Sequence, residues 1–151
     1  MAPLKKLILQ SQKNSLSYSL QALEAYMSAS SDYGFLGQSL MEKIVASIFD
    51  PLINVSKHAL AITNLFTRPD SPSKGALIFM NKKKFSLDIQ ALANLLSDNT
   101  ELELQIAALR FINNLLSHQS DQERDEGVFL QTLYNSEIPN HLSVRKSSYK
   151  N

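Results

Sequence analysis

The side chains of this sequence best suited to proton transfer or metal ligation are three histidines, His58, His118 and His141, scattered along the chain. Acid–base and metal sets on a helix place a second group three or four residues away, on the same face. Only His118 and Asp121 approach that spacing, and a capping or exposed-loop role accounts for the histidine. The chain has no cysteine, which excludes a thiolate metal site, a Cys nucleophile and a disulfide framework. Carboxylates gather at Glu101/Glu103 and at Asp121/Glu123/Asp125/Glu126, and both groups open helices, where acids complement the dipole. The only glycines are Gly34, Gly37, Gly75 and Gly127; Gly34-x-x-Gly37 lacks the third glycine and the preceding strand of a dinucleotide loop. No cofactor, no metal and no catalytic set is expected.

Cations offer little more. Lys82-Lys83-Lys84, reinforced by Lys74, is the densest basic group, yet useful nucleic-acid affinity takes about 6–10 phosphate contacts. A solvated helix end, where cations suit the dipole, explains the run. With 15 Lys+Arg against 14 Asp+Glu, the net charge of +1 creates no basic field, so no nucleic-acid partner is expected. The apolar run Leu7-Ile8-Leu9 falls short of the ~7–15 residues of a signal-peptide core. No stretch approaches the ~18 apolar residues of a membrane span, so no integral membrane segment and a cytoplasmic location are expected.

Helices must position whatever site exists. The 44% hydrophobic content excludes disorder for most of the 151 residues, and four glycines with five prolines are too few turn formers for an all-β fold. Leu16, Leu20, Leu23 and Met27 form one stripe of a helix over about 15–28. Leu36, Leu40, Ile44 and Ile48 form another over 35–49. Asp50-Pro51 reads as an N-cap and first residue opening a helix over 51–67, with Leu52, Val55, Ala59, Ile62 and Phe66 on one face. Ser71-Pro72 repeats that signal before a helix over 72–81, and a fifth runs over about 85–97. Thr100 and Glu103 form a capping-box pattern before a helix to Ser117. Its broad apolar arc, Leu104 to Leu116, predicts that it is the most enclosed of the set. Ser120 and Glu123 open a seventh, over about 121–135. Residues 1–14 form an N-terminal segment able to be helical, 15–136 the helical domain, and 137–151 a polar, disordered tail.

An internal echo favours a stack over a bundle. Ile62, Asn64 and Leu65 recur fifty residues on as Ile112, Asn114 and Leu115, and Asn94-Leu95-Leu96 repeats the ending. The period is just above the ~40–47 residues of HEAT and armadillo units. The expected fold class is therefore all-α, an armadillo/HEAT-like α-solenoid of about three repeats and seven helices. Asn64, Asn94 and Asn114 are the candidate partner contacts, because asparagines on such a stack can bind the backbone of an extended peptide.

Leu16 to Met27, Met41 to Phe49, and Ala108 to Ser117 leading into Asp121-Gln122-Glu123-Arg124 resemble the central armadillo-like region of the ELMO (engulfment and cell motility) proteins. The similarity runs in one register from about Leu16 to Leu133 and rests on order and spacing. It implies a non-catalytic adaptor that partners a DOCK-type exchange factor or a small GTPase in Rac-type signalling to the actin cytoskeleton, cytoplasmic and recruited to the cell cortex. The 151 residues hold no counterpart of that family's Ras-binding-like, ELMO and PH domains or its proline-rich tail, where most DOCK contacts lie. The alternative expectation is a generic helical-repeat scaffold binding an extended peptide, unrelated to GTPase signalling.

Overall fold

The computed structural model describes residues 2–10, 13–31, 33–83, 86–117, 131, 134–136 and 138–139. Among them the regular structure is entirely helical, in seven α-helices: α1 (Ala2–Gln10), α2 (Lys13–Ala29), α3 (Gln38–Ser47), α4 (Ile53–Thr67), α5 (Lys74–Lys83), α6 (Ile89–Asn94) and α7 (Leu102–Ser117). Of the expected helix over 121–135 only residues 131, 134 and 135 are described, and of the expected tail only 138 and 139; the rest lies outside the described residues. So do His118, His141, Lys84 and the Asp121–Glu126 carboxylates. No described helix is long and apolar enough to cross a membrane. The chain divides into two compact units, 1–80 and 81–151.

In the first unit α2 packs along α4, α3 packs on α4, and α1 lies against α2 and α3. The stripe Leu16, Leu20, Leu23 and Met27 is buried throughout, as are Leu40, Ile44 and Ile48. Burial of such side chains contributes about 1.5–3 kcal/mol each. The 30–37 connection is tied down by the Tyr33 hydroxyl, which donates to the Met27 carbonyl at 3.2 Å, and by the edge-on stacking of Tyr26 and Phe35 at 5.6 Å. Lys5 Nζ donates to the Phe35 carbonyl at 3.2 Å and lies 2.9 Å from where a Cβ on Gly37 would sit. A glycine there lets the ammonium approach the backbone that opens α3.

Both proline-marked helix starts fall later than expected, for one reason. The Asp50 carboxylate accepts the Leu52 N–H at 2.9 Å, across Pro51, and α4 begins at Ile53. The Ser71 hydroxyl likewise accepts the Ser73 N–H at 3.3 Å, across Pro72, and α5 begins at Lys74 with the Ser73 hydroxyl accepting the Ala76 N–H at 3.2 Å. A side-chain acceptor two residues before an N–H closes a turn rather than a cap. Here the turn holds the chain and the helix starts after it.

In the second unit α6 is shorter than the periodicity predicts. It is capped by Asp88, whose carboxylate accepts the Ala91 N–H at 3.0 Å, and it unwinds after Asn94 into three consecutive i→i−3 bonds from Leu95, Leu96 and Ser97. The Thr100 hydroxyl donates to the Asn94 carbonyl at 3.0 Å, using the side chain expected to open α7 to close the end of α6.

The helix expected to be most enclosed is not α7. Eight residues of α4 are buried against six of α7, and Leu116 remains exposed. The six buried on α7 are Leu104, Gln105, Ala108, Phe111, Ile112 and Leu115. Each stands 49 residues after a buried residue of α4: Val55, Ser56, Ala59, Ile62, Thr63 and Phe66. At the fifty-residue offset of the sequence echo only Val55 and Ile62 coincide with buried positions. Helices α4 and α7 thus share a burial pattern in a register one residue away from the repeated letters, which rotates the equivalence by about 100° around the helix. In this register Asn64 corresponds to Asn113.

Candidate functional site

The first unit carries a groove between α2 and the first turns of α4. Ser17, Tyr18 and Gln21 come from α2 at helical spacing, and Asn54 and His58 come from α4 one turn apart. Those side chains surround a volume of about 370 Å³. Their helices present them because the opposite faces, Leu16/Leu20/Leu23 on α2 and Val55/Ala59/Ile62 on α4, are committed to the core. Along the α4 start the groove continues into a second depression of about 340 Å³, lined by Ser17, Pro51, Leu52, Ile53 and Asn54. Tyr18 is 74% exposed, and Leu52 and Ile53 are exposed as well. The floor is therefore polar in one half and apolar in the other.

One contact bridges the helices beside the groove. His58 Nδ1 lies 2.8 Å from Glu24 Oε2, both side chains partly buried. The pair orients the imidazole so that its Nε2 edge is the part left for other partners. The sequence reading missed it because the two residues are 34 apart. A search for acids within one turn of a histidine finds only same-helix pairs. The signal that finds this one is that Glu24 and His58 each flank the buried stripe of a helix.

With Ser17 on the same groove, the residue types match a nucleophile, a base and an orienting acid. Only the base–acid half is joined, through His58 and Glu24, since among the described residues the Ser17 hydroxyl makes no hydrogen bond to His58. The groove instead offers two amides, a hydroxyl, an imidazole and a phenol ring, a set that matches peptide backbone groups and an apolar side chain. Among the described residues no three or more His, Asp or Glu stand together as a metal site.

The three asparagines read from the sequence fall in different places. Asn64, on α4, is half-buried, with its side-chain oxygen closed off from solvent. Asn94 ends α6, exposed, and its side-chain oxygen accepts from Gln90 Nε2 at 3.3 Å. Asn114 is half-buried on α7. Asn64 belongs to the first unit and the other two to the second. Lys82 and Lys83 occupy the last turn of α5, whereas Lys74 stands in its first. Comparisons with protein-family models, with curated proteins and with solved structures each return no match.

Proposed function

We propose that this chain is a non-catalytic protein-interaction module of armadillo-like helical-repeat type, holding a peptide segment in the α2–α4 groove. The observation that carries the reading is the groove's lining: Gln21, Asn54 and His58 offer donors and acceptors beside the exposed Tyr18, Leu52 and Ile53. An extended segment leaves its own amides unpaired, and side-chain amides can satisfy them. Adjacent apolar residues then give a bound side chain somewhere to be buried. The burial pattern shared by α4 and α7 supports a helical repeat, the architecture whose concave faces take such ligands. The ELMO resemblance names the setting this reading would serve: an adaptor contact to a DOCK-type exchange factor or a small GTPase, in Rac-type signalling to the actin cytoskeleton. The asparagine reading remains a second candidate contact, through Asn64, Asn94 and Asn114.

Peptides selected from a display library against the whole chain test the groove. Tyr18→Ala and Asn54→Ala should each weaken the selected peptides by about tenfold, with unchanged far-ultraviolet circular dichroism. Affinity unmoved by both, but lost with Asn113→Ala and Asn114→Ala, transfers the contact to α7. Affinity unmoved by all four ends the reading. Pull-down with a DOCK-type exchange factor and with Rac separates the signalling role from generic peptide binding. Hydrolysis of an activated ester that Ser17→Ala abolishes would overturn the non-catalytic part.

A further inference from the structure

The two ends of the α2–α4 groove ask for different side chains. Ser17, Gln21 and Glu24 stand four and three residues apart and share one face of α2, while Asn54 and His58 come from α4. Ser17 and Asn54 line both depressions and so mark the middle. Pro51, Leu52 and Ile53 form one end; Tyr18, Gln21 and His58 form the other, where Glu24 continues the α2 wall and holds His58. No lysine or arginine is among the described lining residues, and Lys57, next to His58 on α4, lines neither depression.

The His58 end is rich in acceptors. A carboxylate oxygen can only accept, so the 2.8 Å contact with Glu24 places a proton on His58 Nδ1. An uncharged imidazole held in that way presents Nε2 as an acceptor. The side-chain oxygens of Ser17, Tyr18, Gln21 and Asn54 add further acceptors around the same volume of about 370 Å³. Glu24 supplies a formal negative charge that solvent still reaches, its side chain being 30% exposed. The exposed ring of Tyr18 offers a flat aromatic face beside them. Arginine matches this set: it is always charged, has five N–H donors and no acceptor, and stacks on aromatic rings.

We infer that the groove selects an arginine two positions away from an apolar residue in an extended segment, an inference that rests on the peptide reading of the groove. The spacing follows from the helix that forms its wall. Ile53 and His58 are five residues apart on α4, a rise of about 7.5 Å, close to the length of two extended residues at about 3.3 Å each. Side chains two apart in an extended chain project to the same side. The arginine thus enters the Tyr18/Gln21/His58 end while the apolar side chain covers Leu52 and Ile53, and the residue between them points to solvent.

Fluorescence polarisation with labelled, end-blocked peptides tests this on the whole chain. The probes are a Gly-Ser frame carrying Arg-Ser-Leu or Leu-Ser-Arg, each also made with citrulline for arginine and with alanine for leucine. In the better-bound order, citrulline, which keeps the shape and removes the charge, should weaken binding by at least about tenfold, and alanine by about tenfold. Glu24→Gln should bring the arginine and citrulline peptides within about twofold of each other and leave the alanine loss in place. Ile53→Ser should do the reverse. Both side chains reach solvent, so both variants should keep the wild-type circular dichroism, and the citrulline comparison needs no variant at all.

Equal binding of the arginine and citrulline peptides overturns the inference, as does failure of both orders to bind at millimolar peptide. The Asp50 carboxylate, which accepts the Leu52 N–H, is the acid beside the apolar end. An arginine preference that survives Glu24→Gln but is lost in Asp50→Asn puts the cation at that end and overturns the register. The groove reading fails separately. Display-selected peptides that depend on Tyr18 and Asn54 uphold it even where arginine confers nothing, whereas arginine peptides indifferent to Tyr18→Ala and Asn54→Ala remove both.

Discussion

The α3–α4 and α6–α7 pairs solve the same local problem with different side chains. In each, the first helix unwinds through three i→i−3 bonds. In each, a buried polar side chain of the second helix reaches back eight residues to a carbonyl of that unwound end. The Ser56 hydroxyl donates to the Ile48 carbonyl, and Gln105 Nε2 donates to the Ser97 carbonyl. Donors and acceptors alike are 49 residues apart. Serine and glutamine share no shape, and the two ties differ in weight: the Ser97 carbonyl also accepts the Thr100 N–H at 3.0 Å, whereas an unpaired buried carbonyl costs about 1–3 kcal/mol.

The pairs differ in how far the second helix is covered. Leu60 and Thr67 are fully buried on α4, whereas their counterparts Leu109 and Leu116 are not. The pairs also differ at their starts. Gly37 opens α3 with no side-chain cap, and Asp88 caps α6.

Equivalent substitutions in the two pairs should expose that difference. The largest separation is expected at Leu60 and Leu109: Leu60→Ala should cost about 2–5 kcal/mol, and Leu109→Ala about 1 kcal/mol. Urea unfolding at micromolar concentration measures both, and equal costs would remove the distinction. By contrast, Ile62→Ala and Phe111→Ala should both be severe, about 2–5 kcal/mol, since both side chains are buried in the shared register. A mild Phe111→Ala would break the register itself.

Ser56→Ala strands the Ile48 carbonyl and should cost about 1–3 kcal/mol by the same measurement, whereas Gln105→Ala should cost about 1 kcal/mol, because the Ser97 carbonyl keeps the Thr100 N–H. Equal costs would mean that the Thr100 N–H does not compensate the lost tie. Asp88→Ala should cost about 1 kcal/mol, read as lost stability with an unchanged denaturant slope. Smallest of all, Glu24→Gln should cost under about 1 kcal/mol, because the His58 pair is partly solvent-exposed and glutamine keeps an acceptor. The α7 position equivalent to His58 is Ala107, so this contact belongs to the first pair alone.

Much of the helical framework was legible in residue spacing. The stripe Leu16/Leu20/Leu23/Met27 is buried as its period requires. The Asp50-Pro51 and Ser71-Pro72 starts were legible as punctuation but misplaced, since either polar side chain can close a turn across the proline or cap a helix. The groove was not legible, because Ser17, Gln21, Asn54 and His58 carry no common spacing until α2 lies along α4. The echo at Ile62/Ile112 lies one residue away from the register of the burial positions shared by α4 and α7, because identical letters on helices need not face the same way.

By itself, the amino-acid sequence determined the helical class, the core stripes of α2 and α3 and the absence of thiol chemistry. Those are consequences of local periodicity and composition, which do not depend on partners distant in the chain. Tertiary structure alone decided that Glu24 meets His58, that Ser56 and Gln105 tie back to carbonyls at equivalent positions, and that Leu60 is buried on α4 while Leu109 is half-buried on α7. Each of these depends on which surfaces meet, and the energy of burial is set by the neighbour that covers a side chain rather than by the side chain itself.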